Sequence, residues 1–204
     1  MTVAYEVDGA LYVKITNRCT NSCSFCIRNN GDGAYGSDPL WLEREPTEAE
    51  ALAMLLECNL SLYRELVFCG YGEPSIRLDL CRAIAKEVRA IRQDMPIRIN
   101  TNGMSDLYFG RNTAPEYENL FDTVSISLNA TTAEKYDEMC HPVYHLSAFP
   151  AILTFAKNVK NYVHNTVFTV VGDYLCEQDL AAAHELAASV GIPLRVRSYI
   201  GPAT

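Results

Sequence analysis

Three cysteines lie within eight residues of one another, in the segment Cys-Thr-Asn-Ser-Cys-Ser-Phe-Cys that contains Cys19, Cys23 and Cys26. A short loop with this spacing can turn three sulfurs towards one compact metal centre, and thiolates select zinc, copper(I) or iron–sulfur clusters. A structural zinc site requires a fourth protein ligand, and the nearby sequence offers no obvious one. Three thiols therefore favour a four-iron cluster that leaves one iron open. A zinc knuckle or a redox-sensing thiol cluster is the alternative.

The composition narrows the class of protein. The 204 residues are expected to form one domain over residues 1–204, with a cluster loop over residues 17–46. No apolar run reaches the ~20 residues of a membrane helix, and the N-terminus lacks signal-peptide features, so a cytoplasmic location is expected. The net charge is −8 and no stripe of lysine and arginine is visible. This charge disfavours nucleic acid as a partner and favours a small molecule or a peptide.

Turn and periodicity signals predict an α/β fold. Asp8-Gly9 between two β-rich runs predicts an N-terminal β-hairpin over residues 3–7 and 10–16. Strands that alternate with helices then indicate a parallel sheet. Helix formation near residue 47 is supported by a capping box between Thr47 and Glu50. The later strands are predicted over residues 65–69, 96–100, 123–128, 166–171 and 194–199, and the helices over 47–58, 78–92, 115–120, 132–139, 149–163 and 177–190.

Alternate residues along the predicted strands are polar, and side chains two residues apart share one face of a sheet. The apolar face, which includes Ile97 and Ile99, must pack against the helices. The polar face predicts an open barrel with a wet lumen. Cations without partners are costly to bury, so those in the lumen either pair with internal carboxylates or bind an anionic ligand, which we favour. The cations concerned are Lys14, Arg98, Arg195 and Arg197.

The loop after the cysteines, residues 27–46, contains Gly31, Gly33 and Gly36 in a G-x-G-x-x-G pattern. A dinucleotide site requires a strand before this pattern and a helix directly after it, and neither is predicted here. Loops of this length are often functional, so the segment is expected to cover the metal centre. Trp41 is expected to anchor it.

Two further motifs stand at the ends of predicted strands. In the segment Phe-Cys-Gly-Tyr-Gly-Glu-Pro, residues 68–74, Gly70 and Gly72 permit backbone conformations that are closed to other residues. Glu73 places a carboxylate at the carboxyl end of the strand, where parallel sheets bind ligands. Thr-Asn-Gly at residues 101–103 ends the next strand.

The pattern C-x3-C-x2-C, with the aromatic Phe25 before its last cysteine, resembles the signature of the radical SAM (S-adenosylmethionine) superfamily. The Gly-Glu-Pro segment resembles that superfamily's GGEP motif in a stretched form, and Thr-Asn-Gly is similar to a segment often found after its next strand. The closest subgroup is the TatD-linked radical SAM proteins, which are associated with TatD-type metal-dependent hydrolases. The resemblance implies a partial (βα)6 radical SAM-type barrel behind the N-terminal hairpin.

The same resemblance implies a reaction. Cys19, Cys23 and Cys26 would hold a [4Fe–4S] cluster that binds SAM, and an electron from a flavodoxin or ferredoxin would lead to a 5′-deoxyadenosyl radical. That radical would abstract hydrogen from an unidentified, anionic small-molecule or peptide substrate, so that the cofactor carries the hard chemistry. The alternative is an iron–sulfur electron-transfer or interaction protein that partners a TatD-type hydrolase without turning over SAM.

Residue roles follow from the resemblance as well. Gly72 and Glu73 would contact the amino group of the methionine part of SAM, and Phe25 would pack beside the cluster and adenine. Ser127 and Asn129, at the end of a strand, would contact the ribose or the carboxylate of SAM. The other expected cofactor-binding residues are Gly70, Pro74, Asn102, Arg195 and Arg197.

Five cysteines lie outside the motif, and most are expected to be small buried hydrophobes in a reducing compartment. Two of them, Cys140 and Cys176, follow predicted strands and are candidate hydrogen donors to a substrate radical. A structural role in their loops is the alternative. The other three are Cys58, Cys69 and Cys81.

Overall fold

A computed structural model of the chain describes residues 2–34 and 36–201. Its centre is an open sheet of seven strands in the order of the sequence. The first two strands form an antiparallel hairpin, and each later strand is parallel to the one before it. The predicted partial (βα)6 barrel with an N-terminal hairpin is therefore confirmed. The strands are β1 (Ala4–Val7), β2 (Ala10–Val13), β3 (Leu66–Phe68), β4 (Ile97–Thr101), β5 (Thr123–Ser127), β6 (Asn165–Val171) and β7 (Leu194–Arg197).

Six α-helices connect the strands in the part of the chain that the structure describes. The predicted helix over residues 115–120 is wrong, because Ala114–Tyr117 is a single 3₁₀ turn. The helix Ser105–Phe109 was not predicted, because five residues are too few to show helical periodicity. No helix among the described residues is long and apolar enough to cross a bilayer. The helices are α1 (Glu48–Leu56), α2 (Leu78–Ile91), α3 (Ser105–Phe109), α4 (Ala133–Cys140), α5 (Ala148–Val159) and α6 (Glu177–Val190).

The two faces of the sheet differ as the alternation predicts. Ile97, Ile99 and Val124 are fully buried in the main hydrophobic core. Burial of one such side chain contributes about 1.5–3 kcal/mol, so this face holds the helices against the sheet. Arg98 and Asn100, which alternate with these residues, are half-buried and line a cavity on the other face.

The hairpin turn that Asp8-Gly9 predicts is confirmed. Asp8 and Gly9 have φ angles of 47° and 72°, the left-handed pair that a two-residue type I′ turn requires. The resulting register sets Tyr5 opposite Tyr12, with ring centroids 5.5 Å apart. The hairpin therefore presents a pair of aromatic rings to the cavity, which both rings line.

Lys14 does not line the lumen, so that prediction is wrong. Strand β2 ends one residue earlier, at Val13, and Lys14 is only 2% exposed. Its Nζ donates a hydrogen bond to Oδ1 of Asn17 at 2.5 Å. Asn17 also donates to the carbonyl of Leu42 at 2.7 Å and accepts from the Leu42 amide at 3.1 Å. This network ties the chain just before the cysteines to the end of the glycine-containing loop.

Burial lowers the pKa of Lys14 from 10.5 to about 8. The unfolded chain therefore binds more protons than the folded chain between these pH values, and the free energy of unfolding rises with pH across the window. Relative to Lys14→Met, the wild-type free energy of unfolding should rise by about 2 kcal/mol between pH 8 and pH 10, measured by urea denaturation. Lys157→Met removes an exposed lysine from α5 and should show no such rise. A difference between wild type and Lys14→Met that is independent of pH would contradict the buried, neutralised lysine.

Candidate active site

One cavity of about 520 Å³ lies on the inner face of the sheet, and its size is that of a small-molecule pocket. The loops at the carboxyl ends of the parallel strands form part of its wall, which is where such sheets bind ligands. Cys19, Cys23 and Cys26 line it together with residues 70–73. The structure thus brings the two main sequence motifs to one site.

The cysteine loop is held by the C-terminal end of α4. The last carbonyl groups of a helix have no partner within the helix and must find one elsewhere. The amide of Ser22 donates to the carbonyl of Cys140 at 3.0 Å, and the amide of Ser24 donates to that of Met139 at 3.1 Å. The amides of the cysteine loop therefore supply hydrogen bonds to the terminal carbonyl groups of α4. The same hydrogen bonds hold the cysteine loop in place.

The pKa values of all three thiols of the motif are raised. Burial and the nearby Glu73 raise the pKa of Cys19 to about 12. A hydrogen bond with Cys140, together with burial, raises the pKa of Cys23, and burial raises that of Cys26. A metal centre bound by these sulfurs must therefore displace protons from them.

Gly72 allows the segment after β3 to approach the backbone just before the cysteine loop, at Thr16 and Arg18. Its φ is +151°, and a Cβ built there would lie 2.2 Å from the carbonyl oxygen of Thr16. The next amide, of Glu73, donates to the carbonyl of Arg18 at 2.8 Å. Only glycine fits this close approach of two backbones.

The carboxylate of Glu73 joins three parts of the site. One oxygen accepts from the amide of Ser75 at 3.0 Å and from Oγ1 of Thr101 at 2.7 Å, and the other accepts from the amide of Asn102 at 2.7 Å. The side-chain amide of Asn102 then donates to Oγ1 of Thr20 in the cysteine loop at 2.8 Å. Burial raises the pKa of Glu73, and these hydrogen bonds oppose the rise. Glu73 therefore positions the strand ends beside the cysteines.

Tyr71 is a site residue that sequence reasoning missed. It is fully buried, and its hydroxyl group lies 2.8 Å from the carbonyl oxygen of Gly31 and 2.7 Å from that of Gly33. Trp41 packs edge-on against its ring at 5.2 Å. Tyr71 thus fastens the glycine-containing loop to the cavity wall. A large aromatic residue between two glycines at a strand end was the available signal.

Three arginines line the cavity, and they differ in their partners. Arg98 forms a bidentate ion pair with Glu65, at 3.0 and 3.1 Å. Arg195 donates to Oγ of Ser125 at 3.4 Å, while Nε of Arg197 is buried without a hydrogen-bond partner. Burial and the charges of Arg98 and Arg197 lower the pKa of Arg195. Only the first arginine is therefore neutralised by an internal carboxylate within the described ranges.

The sequence matches the family model of the radical SAM superfamily over residues 13–187. The chain belongs to this superfamily. It is accordingly an enzyme, and membership implies an iron–sulfur cluster and SAM as its cofactors. No curated protein matches the sequence, and membership of the TatD-linked subgroup stays a prediction.

Solved structures with a similar fold include a radical SAM methyltransferase and a protein bound to S-adenosylmethionine. The chain spans less than half of two of them, so the likeness concerns the shared barrel. A radical SAM methyltransferase from Sphaerobacter thermophilus has a TM-score of 0.62 at 13% identity, over 96% of this chain and 68% of that one. Streptococcus suis SuiB bound to S-adenosylmethionine has a TM-score of 0.63 at 13% identity, over 95% of this chain and 39% of that one. HydG, a maturase of the [FeFe]-hydrogenase, has a TM-score of 0.60 at 14% identity, over 95% of this chain and 43% of that one.

The cavity residues fit both cofactors of a radical SAM protein. Each cysteine of a four-iron cluster binds a different iron, so the sulfurs need not converge on one point as they would around zinc. Across residues 2–34 and 36–201, no three Cys, His, Asp or Glu side chains are close enough to chelate a single ion. Asn21 and Asn129 line the cavity, and the amide oxygen of each is buried without a hydrogen-bond partner among the described residues. Such acceptors suit the ammonium and hydroxyl groups of SAM.

Most of the predicted cofactor-binding residues lie on the cavity wall, although their contacts with SAM stay predictions. Pro74 is the exception, because it begins the 3₁₀ turn Pro74–Arg77 behind the wall. Phe25 is buried and packs against Tyr174, with ring centroids 5.0 Å apart. The residues on the wall are Phe25, Gly70, Gly72, Glu73, Asn102, Ser127, Asn129, Arg195 and Arg197.

The two candidate hydrogen donors lie off the cavity wall. Cys140 is buried at the end of α4, against Cys23, and Cys176 is exposed with its sulfur 3.3 Å from a carboxylate oxygen of Asp179. Their role as hydrogen donors stays a prediction that this placement does not favour. Cys69, at the end of β3, does line the cavity and was expected only as a buried hydrophobe.

Gly72→Ala should disturb the cysteine loop, because the new Cβ would collide with the carbonyl of Thr16. Gly110→Ala is a matched control, since its φ is also positive (+66°) but a Cβ there meets nothing within 4 Å. The control should lose about 1–2 kcal/mol of stability and keep its iron content after anaerobic reconstitution. Gly72→Ala should lose more stability and retain roughly half the iron or less, measured per folded chain. Equal iron contents in the two variants would contradict this role for Gly72.

Proposed function

We propose that the chain holds a [4Fe–4S] cluster through Cys19, Cys23 and Cys26 and cleaves SAM reductively. When bound, the reduced cluster and SAM supply a 5′-deoxyadenosyl radical that abstracts a hydrogen atom from the substrate. The observation that carries the proposal is that one cavity of small-molecule size is lined by the three cysteines and by two asparagines whose buried amide oxygens have no hydrogen-bond partner among the described residues. The superfamily match over most of the chain supports it.

The chain's own residues bind, orient and enclose the reactants. Glu73 fixes the strand ends, and through Asn102 it supports the cysteine loop from one side. Asn129 lines the cavity, and its buried amide oxygen, which has no hydrogen-bond partner among the described residues, would accept one from SAM. Phe25, backed by Tyr174, offers an aromatic surface on the same wall that suits stacking of adenine.

We also propose an anionic substrate, either a small molecule or a peptide. Its support is the pair Arg195 and Arg197, which line the cavity and form no ion pair with a residue that the structure describes. A flavodoxin or ferredoxin as electron donor, a cytoplasmic location and a functional link to a TatD-type hydrolase complete the proposal.

The proposal predicts 5′-deoxyadenosine after anaerobic reconstitution with iron and sulfide and addition of dithionite and SAM. Cys23→Ala should abolish the product, because one iron of the cluster loses its ligand. Cys58→Ala is the matched control, since Cys58 is half-buried and its sulfur lies 3.5 Å from the carbonyl oxygen of Met54, away from the cavity. It should retain product formation.

Two other outcomes of this assay would overturn the proposal. If a cluster forms but SAM is neither bound nor cleaved, the electron-transfer or interaction protein is the better account. If the wild type binds only zinc, the cluster assignment itself is wrong.

A further inference from the structure

Two arginines of the cavity have no anionic partner among residues 2–34 and 36–201. Arg195 and Arg197 stand two residues apart on β7, so their side chains share the face that lines the cavity. The hydrogen bond from Arg195 to Ser125 is long, at 3.4 Å, and Nε of Arg197 is buried without a partner. A buried donor without a partner, such as this Nε, costs free energy, whereas Arg195 is exposed. A carboxylate or phosphate group, which guanidinium forks bind by two parallel hydrogen bonds, would supply the missing acceptors.

The remaining arginine does not need such a ligand. Both carboxylate oxygens of Glu65 accept hydrogen bonds from Arg98, which also donates to Oδ1 of Asn100 at 3.3 Å. Burial and the charges of Arg98 and Arg197 lower the pKa of Arg195, whereas Tyr12 and Glu65 oppose this shift. Among the described residues, Arg98 thus has a carboxylate partner, whereas Arg195 and Arg197 have none.

The anchor of Arg195 lies below the level of the cysteines. Ser125 stands beside Asn100 in the β4–β5 register. Asn102 follows the last residue of β4, about 7 Å beyond Asn100, and contacts Thr20 of the cysteine loop at 2.8 Å. The backbone of Arg195 is level with Ser127 in the β5–β6–β7 register, and its side chain reaches from there towards Ser125, away from the cysteine loop.

An apolar surface borders the same part of the cavity. We call it the tyrosine wall, and it consists of Tyr5 on β1, Tyr12 on β2 and the fully buried Leu40 from the glycine-containing loop. Tyr12 is level with Arg98 across the sheet, because both residues pair with Val67 in the strand register. A ligand held by the arginines would therefore extend along this wall.

We propose that this region binds the substrate as a small amphiphilic oxyanion. Its carboxylate or phosphate lies on Arg195 and Arg197, and its apolar or aromatic body packs on the tyrosine wall. A cavity of about 520 Å³ is of a size for one drug-sized molecule, so a second ligand beside SAM must be small. The inference rests on the proposed function for the position of SAM, whereas the anion site is formed by the chain alone.

The test is calorimetric titration of the reconstituted protein with phenyl phosphate, inorganic phosphate and phenol, and separately with SAM. Phenyl phosphate should bind more tightly than either fragment, because it uses both the arginines and the wall. Arg195→Gln and Arg197→Gln should each weaken phenyl phosphate about tenfold or more, and more than they weaken SAM. Arg64→Gln, which removes an exposed arginine outside the cavity, is the matched control and should bind phenyl phosphate like the wild type.

Three results would overturn the inference. The first is a wild type that binds no phenyl phosphate, and the second is an affinity for it that both arginine variants preserve. The third is an equal or greater loss of SAM affinity in those variants, because the arginines would then hold the carboxylate of SAM. A protein that binds phenyl phosphate through its arginines but does not cleave SAM would retain the anion site and contradict the proposed function alone.

Discussion

The buried carboxylate of Glu73 is the constraint on which the rest of the site depends. Its two oxygens accept three hydrogen bonds from groups on Ser75, Thr101 and Asn102, which brings the end of β3 against the end of β4. An anion in this position is tolerable only because each oxygen is satisfied. Through Asn102 the same arrangement reaches the cysteine loop, so the metal ligands are positioned by the sheet and not by the loop alone.

Local signals made much of the fold predictable. The Asp-Gly turn, the capping box at Thr47 and the alternation of polar and apolar residues along β4 each depend on neighbours in sequence, and all three were confirmed. The cysteine spacing and the glycines beside Glu73 indicated the candidate site for the same reason, since they constrain short stretches of backbone.

What the sequence could not indicate depends on contacts between distant segments. Lys14 does not line the lumen, because β2 ends one residue before it and its side chain donates a hydrogen bond to Asn17. The docking of the cysteine loop on α4 uses backbone groups, which carry no sequence signature. Tyr71 gained its role from Gly31 and Gly33, some forty residues earlier in the chain. The sequence could not show that Arg98, unlike Arg195 and Arg197, has a carboxylate partner, because this depends on where Glu65 lies in the fold.

The most direct test of the central account is electron paramagnetic resonance of the anaerobically reconstituted protein after reduction with dithionite. The account predicts the signal of a reduced [4Fe–4S] cluster, with about four irons per chain, and a change in the shape of that signal when SAM is added. A change of shape means that SAM binds at the open iron beside Cys19, Cys23 and Cys26. A reduced protein without this signal, or a signal that SAM leaves unchanged, would contradict the account.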